Sequence, residues 1–229
     1  ASKFINMGQK VDPRNLRTGI NRTWNSRWYN KKDYVKTLKQ DVLMSQYIKD
    51  TYKKAGIAKV EIERSVAKIR VIIFTDKPGI LIGRGGQGME EMKRNIERKF
   101  LFKEKQQIQI DVVEVKSMEE NAQLIADDCA FQIEKRVSFR RIMKTMLDKV
   151  MQNRNVQGIK IQMSGRLGGA EMSRVEWLSK GNIPLHTIRK KIEFAKSTAH
   201  TTYGAIGIKV WLNVKEDEHS ENKENKLRR

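Results

Sequence analysis

The chain has 229 residues, 38% of them hydrophobic, and carries 47 Lys+Arg against 27 Asp+Glu, giving a formal net charge of +20 and a pI near 10.0. An excess of this size goes beyond what solubility needs and points to a polyanionic partner, because phosphate backbones are attracted at long range and release counterions when bound. No apolar run approaches the roughly 20 residues of a membrane span; the single Cys129 excludes an intramolecular disulfide and fits a reducing cytoplasm, and Ala1 to Asn6 is too short and polar for a secretory signal.

Residues 1–32 interleave Lys10, Arg14, Arg17, Arg22, Arg27, Lys31 and Lys32 with Trp24, Trp28 and Tyr29, with little regular periodicity. This reads as an arm lying on RNA, in which aromatic and guanidinium planes stack on unpaired bases while cations follow phosphates. The alternative, Trp side chains sealing the edge of a core, stands at even weight.

From Asp33 to Lys54 the apolar residues Tyr34, Leu38, Val42, Tyr47, Ile48 and Thr51 keep helical spacing, and Gly56 supplies a stop. Ile57 to Glu63 and Lys68 to Thr75 are rich in β-branched residues, as a strand pair would be. There follows Gly79-Ile80-Leu81-Ile82-Gly83-Arg84-Gly85-Gly86-Gln87-Gly88, an apolar segment entering a basic, glycine-rich loop that opens a helix. Glycines let a sugar-phosphate chain approach the backbone, and a helix start directs unpaired N–H groups towards it. As Gly83-x-x-Gly86 the loop matches the clamp of KH domains, with Gly83, Arg84, Gly85 and Gly86 as the RNA-contacting residues. As Gly83-x-Gly85-x-x-Gly88 it matches a dinucleotide fingerprint, with Asp111 or Glu114 at the spacing of a ribose-binding acid. A glycine turn without a ligand is the third option. A helix from about Met89 to Phe100 and a strand from Ile108 to Val115 complete a helix, strand, strand, loop-helix, strand order.

Lys116 to Glu119 reads as a domain junction, followed by helices at Asn121 to Val137 and Phe139 to Gln152. Cys129 falls in the apolar pattern Ala122, Ile125, Cys129, Ile133 and reads as a small core residue. Arg136, Arg140, Arg141 and Lys144 recur at spacings that place most of them on one helical face, and Asp148 is the sole acid between Phe139 and Arg154. An unneutralised stripe favours RNA over a merely solvated face. Strands follow at Ile159 to Met163, Ile192 to Ala195 and Ile206 to Val214, and the tail from Lys215 to Arg229 is polar enough to read as disordered.

Enzyme chemistry finds little support. Met92 stands where a dinucleotide fold needs a small residue, no Gly-x-x-x-x-Gly-Lys-Ser/Thr loop exists, and His186, His200 and His219 are too dispersed for a local metal site. The expectation is therefore no catalytic residue, no cofactor and no metal.

Met7-Gly8-Gln9-Lys10-Val11, Ile82-Gly83-Arg84-Gly85-Gly86, Ser164 to Glu171, Pro184-Leu185-His186-Thr187 and Ala199-His200-Thr201-Thr202-Tyr203-Gly204 together resemble the bacterial-type family of small-subunit ribosomal protein three. The resemblance spans Met7 to Val214 and implies an α+β fold of two domains: a type II KH domain with a three-stranded sheet, and a C-terminal α/β domain with a mainly antiparallel sheet. The implied division is 1–42 arm and start of the first helix, 43–116 KH domain, 117–214 C-terminal domain and 215–229 tail. It also implies binding to small-subunit rRNA, contact with ribosomal proteins ten and fourteen, and a location on cytoplasmic ribosomes, although an organellar ribosome fits as well. By position it places Arg136, Arg140, Arg141 and Lys144 along the channel through which mRNA enters. Lys10, Arg14, Arg17, Arg22, Trp24, Arg27 and Trp28 become rRNA-binding candidates of the arm, and Arg166, Arg174, His186 and His200 those of the C-terminal motifs. Asp12 stands where the family has His, Arg84-Gly85 where it often has two Lys, and Ala1 to Asn6 precede the family's usual start. An RNA-binding module outside the ribosome is the alternative function, and a dinucleotide enzyme ranks third.

Overall fold

The computed structural model describes residues 10–65, 68–100 and 107–215. Ala1 to Asn6, Met7 to Gln9 and the polar tail beyond Lys215, for which the sequence raises expectations, lie outside these residues.

The first sheet is built from β1 (Ser26–Arg27), β2 (Ile57–Arg64), β3 (Lys68–Thr75) and β4 (Gln107–Glu114), adjacent in that order. β2 and β3 are antiparallel; β1 runs parallel to β2, and β4 parallel to β3. The expected three strands thus gain a fourth, two-residue edge strand from the arm, a contact that the arm's aperiodic sequence does not announce. Alternation along β3 sends Ile69, Val71 and Ile73 into the core, all fully buried, where they meet Val60 and Ile62 of β2 and Ile108 and Ile110 of β4. Burying each such side chain contributes about 1.5–3 kcal/mol relative to leaving it exposed.

Helices α1 (Tyr34–Thr51) and α3 (Gln87–Phe100) close this core through Met44 and Ile48 and through Met92 and Ile96. The buried positions of α1 are Thr37, Asp41, Met44 and Ile48, whereas Tyr34, Leu38 and Val42 are exposed. Of the apolar pattern, Ile48 and Tyr47 join the core, whereas Tyr34, Leu38 and Val42 do not. The reason is a polar anchor: Asp41, 2% exposed, accepts from Trp28 Nε1 at 2.7 Å and from Arg64 Nε at 2.7 Å, and so ties the arm, α1 and β2 together. Gly56 ends the helical region in the left-handed conformation, φ +65°.

The second sheet orders β6 (Arg174–Gly181), β5 (Val156–Gly165), β8 (Gly204–Val214) and β7 (Ile192–Thr201), all antiparallel. β6 is an edge strand not anticipated from the sequence, because only Leu178 of its residues packs against the core. Helices α4 (Ala122–Glu134) and α5 (Phe139–Met151) cover one face, with Ile125, Cys129, Ile142, Met143 and Val150 against Ile159, Ile161, Met163, Ile208 and Val210. Asn121 caps α4 by accepting from the Gln123 N–H at 3.0 Å. Burial pushes the Cys129 thiol up to about 12, with Asp128 and Asp127 adding to the shift, so this is a core residue and not a nucleophile.

No helix among the described residues is long and apolar enough to cross a membrane.

Candidate nucleic-acid interface

The glycine loop is a helix-turn-helix. α2 (Pro78–Ile82), where the sequence suggested only an apolar lead-in, runs into Gly83 at φ +70°, a helical turn at Arg84–Gly86, and then α3. Gly85 and Gly86 adopt φ +59° and +82° with open space where a Cβ would stand, so nothing keeps a ligand backbone from the loop. Gly88 has a different task. A Cβ there would lie 2.6 Å from the Leu81 carbonyl oxygen, so its absence lets the two helices pack. Arg84 is exposed and pairs with no carboxylate among the described residues. The loop is therefore a cationic, sterically open turn at a helix start.

The basic stripe is shorter than its sequence suggested. Arg136 lies beyond the end of α4 and is the one non-glycine among the described residues with positive φ, 62°. It belongs to the turn between helices and not to a helical face. Arg140, Arg141 and Lys144 do lie exposed on α5, while Ile142, Met143, Met146, Leu147 and Val150 point inward. Arg140 has an acid that its own helix does not supply: Glu176 of β6, 3.4 Å away. Arg174 Nε donates to the same carboxylate at 2.7 Å, and both guanidinium groups lie 5.6 Å from the Phe139 ring. Hydrogen bonds from Arg174 and Arg140 lower the Glu176 carboxyl below its usual value. The structure thus brings Arg174 next to the stripe, a juxtaposition hidden in sequence by the 34 positions that separate it from Arg140 and by the unrecognised β6. Arg141 and Lys144 remain without a carboxylate partner among the described residues.

In the arm, Lys10 is exposed, Trp24 is 72% exposed and Arg27 spans Glu61 and Glu63 at the edge of β2. Arg14 pairs with Asp12 and lies over Phe194, and Arg22 meets Glu193 at 3.6 Å. Arg17 departs from its expected place, and Trp28 takes the second of the two readings left open for it. Arg17 is 1% exposed and donates to the backbone carbonyls of Pro13, Leu185, Thr187 and Lys190, so its guanidinium is consumed inside the protein. Trp28 is half-buried, bonded to Asp41 and tilted against Tyr34 at 5.4 Å, so it seals the edge of a core.

Among the C-terminal motifs, Arg166 is exposed yet bound: its Nε donates to the Ala170 carbonyl at 2.9 Å and its Nη1 to the Tyr203 carbonyl at 3.3 Å. It fastens the turn after β5 to the β7–β8 hairpin. His186 is exposed in the loop before β7, and His200 is exposed with its backbone N–H donating to Glu134. Among the described residues no group of His, Cys, Asp and Glu is arranged to hold a metal ion.

The family model for the KH domain matches residues 44–120, and that for the C-terminal domain of ribosomal protein S3 matches residues 129–212. The chain is 48% identical over 207 residues to the small ribosomal subunit protein uS3 of Syntrophomonas wolfei, covering 90% of this chain and 89% of that one. It is 47% identical over 206 residues to the uS3 protein of Desulfitobacterium hafniense, covering 90% and 92%, and 44% identical to that of Exiguobacterium, again over 206 residues.

Proposed function

The chain belongs to the uS3 family of small ribosomal subunit proteins, and from that membership we propose that its basic surfaces hold small-subunit rRNA while α5 guides mRNA towards the decoding site. It is an RNA-binding structural protein of the small subunit, not an enzyme. Family membership removes the dinucleotide reading and the reading of an RNA-binding module outside the ribosome.

The observation carrying the mRNA assignment is the exposed row Arg140, Arg141 and Lys144 on a helix whose opposite face is wholly engaged in the core. Cations so placed contribute little to stability, and their exposed positions, two of them without a carboxylate partner among the described residues, suit phosphates that pass rather than stay. Arg174, brought beside Arg140 by Glu176, widens the same surface. The open loop Gly83 to Gly86 suits a single-stranded backbone, and Lys10, Arg14, Arg22, Trp24 and Arg27 suit rRNA at the domain edge. Tyr34, Val35, Leu38 and Val42 form an exposed apolar row on α1, which fits a protein neighbour; ribosomal proteins ten and fourteen are the proposed occupants, on cytoplasmic ribosomes.

The test is a photo-crosslinking side chain at position 141 in reconstituted small subunits carrying a labelled message. Adducts to mRNA downstream of the decoding site are expected. Adducts to rRNA alone would overturn the assignment of α5 to mRNA.

A further inference from the structure

We infer that the face of the C-terminal sheet turned away from α4 and α5 is a further RNA-binding surface, on which Trp177 stacks an unpaired base while Lys160, Lys196 and Lys209 hold the adjoining phosphates. This rests on the chain's being an RNA-binding protein, and it assigns a surface distinct from the glycine loop and from α5.

Strand alternation defines the face. Ile159, Ile161 and Met163 of β5 and Ile206, Ile208, Val210, Leu212 and Val214 of β8 enter the core, so Lys160, Gln162 and Ser164 and Gly207, Lys209 and Trp211 point the other way. By the same alternation β6 contributes Val175, Trp177 and Ser179, and β7 contributes Phe194, Lys196 and Thr198. None of these positions is Asp or Glu. The pairing register aligns one row across all four strands: Trp177 opposite Gln162, Gln162 opposite Lys209, and Lys209 opposite Lys196. Like charges directly opposite on neighbouring strands are unfavourable, and among the described residues neither Lys196 nor Lys209 forms an ion pair, although Asp12 of the arm acts on Lys196 at longer range. A polyanion laid along the row would relieve that repulsion.

The aromatic component is just as specific. Trp177 is 56% exposed, although a Trp on a sheet ordinarily buries most of its surface. Lys160 Nζ lies 4.4 Å from its ring centroid and 5.6 Å from that of Trp211, so one ammonium contacts both rings while more than half of Trp177 stays open to solvent. Burial, and then Lys10 of the arm, lower the Lys160 ammonium from its usual value, so a fourth cation reaches this area. Neighbouring strands lie about 4.8 Å apart, which puts Lys209 roughly 10 Å from Trp177, within one to two nucleotides of an extended single strand. An aromatic platform flanked by lysines that form no ion pair among the described residues has, on an open sheet, the chemistry of single-stranded RNA recognition. A protein partner would need an acidic, apolar counter-surface of its own and would leave the opposed lysines without a purpose. The arm already covers the neighbouring part of the face, where Phe194 and Trp211 are buried and Arg14 lies over Phe194, but not Trp177.

The experiment measures binding of a fluorescein-labelled oligouridylate to the full chain as a function of salt. Trp177→Ala should weaken binding about 5- to 100-fold, the range for losing one stacked base, and Trp177→Phe should recover most of the loss. Lys160→Ala and Lys209→Ala should each flatten the log–log salt slope by about 0.7. Because Trp177 is exposed, circular dichroism of the variants should match wild type. The α5 variant Arg140→Ala/Arg141→Ala/Lys144→Ala is run in parallel. If it loses affinity while Trp177→Ala does not, the sheet face is not an RNA site and the α5 reading survives. If Trp177→Ala loses affinity whether or not the α5 variant does, the sheet face stands. Unchanged RNA affinity in Trp177→Ala together with loss of self-association by sedimentation would make the face a protein interface and overturn the inference.

Discussion

Arg17 donates from Nε to the backbone carbonyl of Lys190 at 2.8 Å, joining the basic arm to the loop before β7 across 173 positions of sequence. Its remaining guanidinium donors reach Pro13, Leu185 and Thr187, so one buried fork fixes both the arm and the loop that carries His186. Only a planar group with several donors in fixed directions can satisfy carbonyls so arranged.

Arg17→Ala should therefore cost about 2–4 kcal/mol, as expected when a buried charged hydrogen-bonding group is removed and its acceptors are stranded. Arg17→Lys should recover little, since one ammonium cannot reach four carbonyls. Thermal melts give the stability loss, and limited proteolysis between residues 182 and 191 should accelerate in both variants. A lysine variant as stable as wild type would show that charge alone is required.

Asp127 of α4 links the domains: burial raises its carboxyl above the ordinary value of 3.8, and hydrogen bonds from Gln123 and Ser197 and the charges of Lys49 and Lys53 oppose this only in part. Burial in turn lowers the Lys49 ammonium, followed by repulsion from Arg14. Since the folded-state value of Asp127 is the higher one, its contribution to stability is complete below 3.8 and is lost as pH rises through the raised value. Asp127→Asn removes that titration. The stability of wild type minus that of the variant should thus be greatest in acid and decline towards neutrality, as followed by melting temperature against pH. A difference that grows with pH would mean that Lys49 holds the carboxylate ionised.

What could be read from the sequence depended on whether a residue's fate is local. The strands Ile57–Arg64, Lys68–Thr75 and Gln107–Glu114 were legible because β-branched residues cluster in each, and the glycine loop because its spacing is short-range. Arg17 and Trp28 were not. A buried arginine looks like an exposed one until the carbonyls at 185, 187 and 190 are placed around it, and Trp28 declares its role only when Asp41 turns towards it. The stripe on α5 was half legible: helical spacing found Arg140, Arg141 and Lys144, but the left-handed turn at Arg136 and the pairing of Arg140 with Glu176 depend on the α4–α5 connection and on β6. Lys160, Trp177 and Lys209 form a group only through strand register, which no local pattern encodes.

The glycine loop separates backbone freedom from packing. Gly85→Asp/Gly86→Asp places two anions over open space at left-handed positions, so the domain should stay folded at a cost of about 1–2 kcal/mol per site while RNA binding weakens. Gly88→Ala should instead destabilise the KH domain, because its Cβ meets the Leu81 carbonyl at 2.6 Å. Melting curves and RNA affinity measured on both variants distinguish the two roles. Full RNA affinity in the double Asp variant would return Gly83 to Gly86 to the status of an ordinary turn.

On the function proposed above, the exposed cations of α5 act on a moving message. Replacing Arg140, Arg141 and Lys144 by Ala should leave the fold within about 1 kcal/mol of wild type, since exposed cations contribute little to stability. Subunits assembled with this variant are then given two messages, one unstructured and one with a stable hairpin downstream of the decoding site. Near-normal translation of the first and markedly slowed translation of the second are expected, because phosphate contacts that hold the strand are lost. Equal rates for variant and wild type on both messages, with assembly verified, would contradict it.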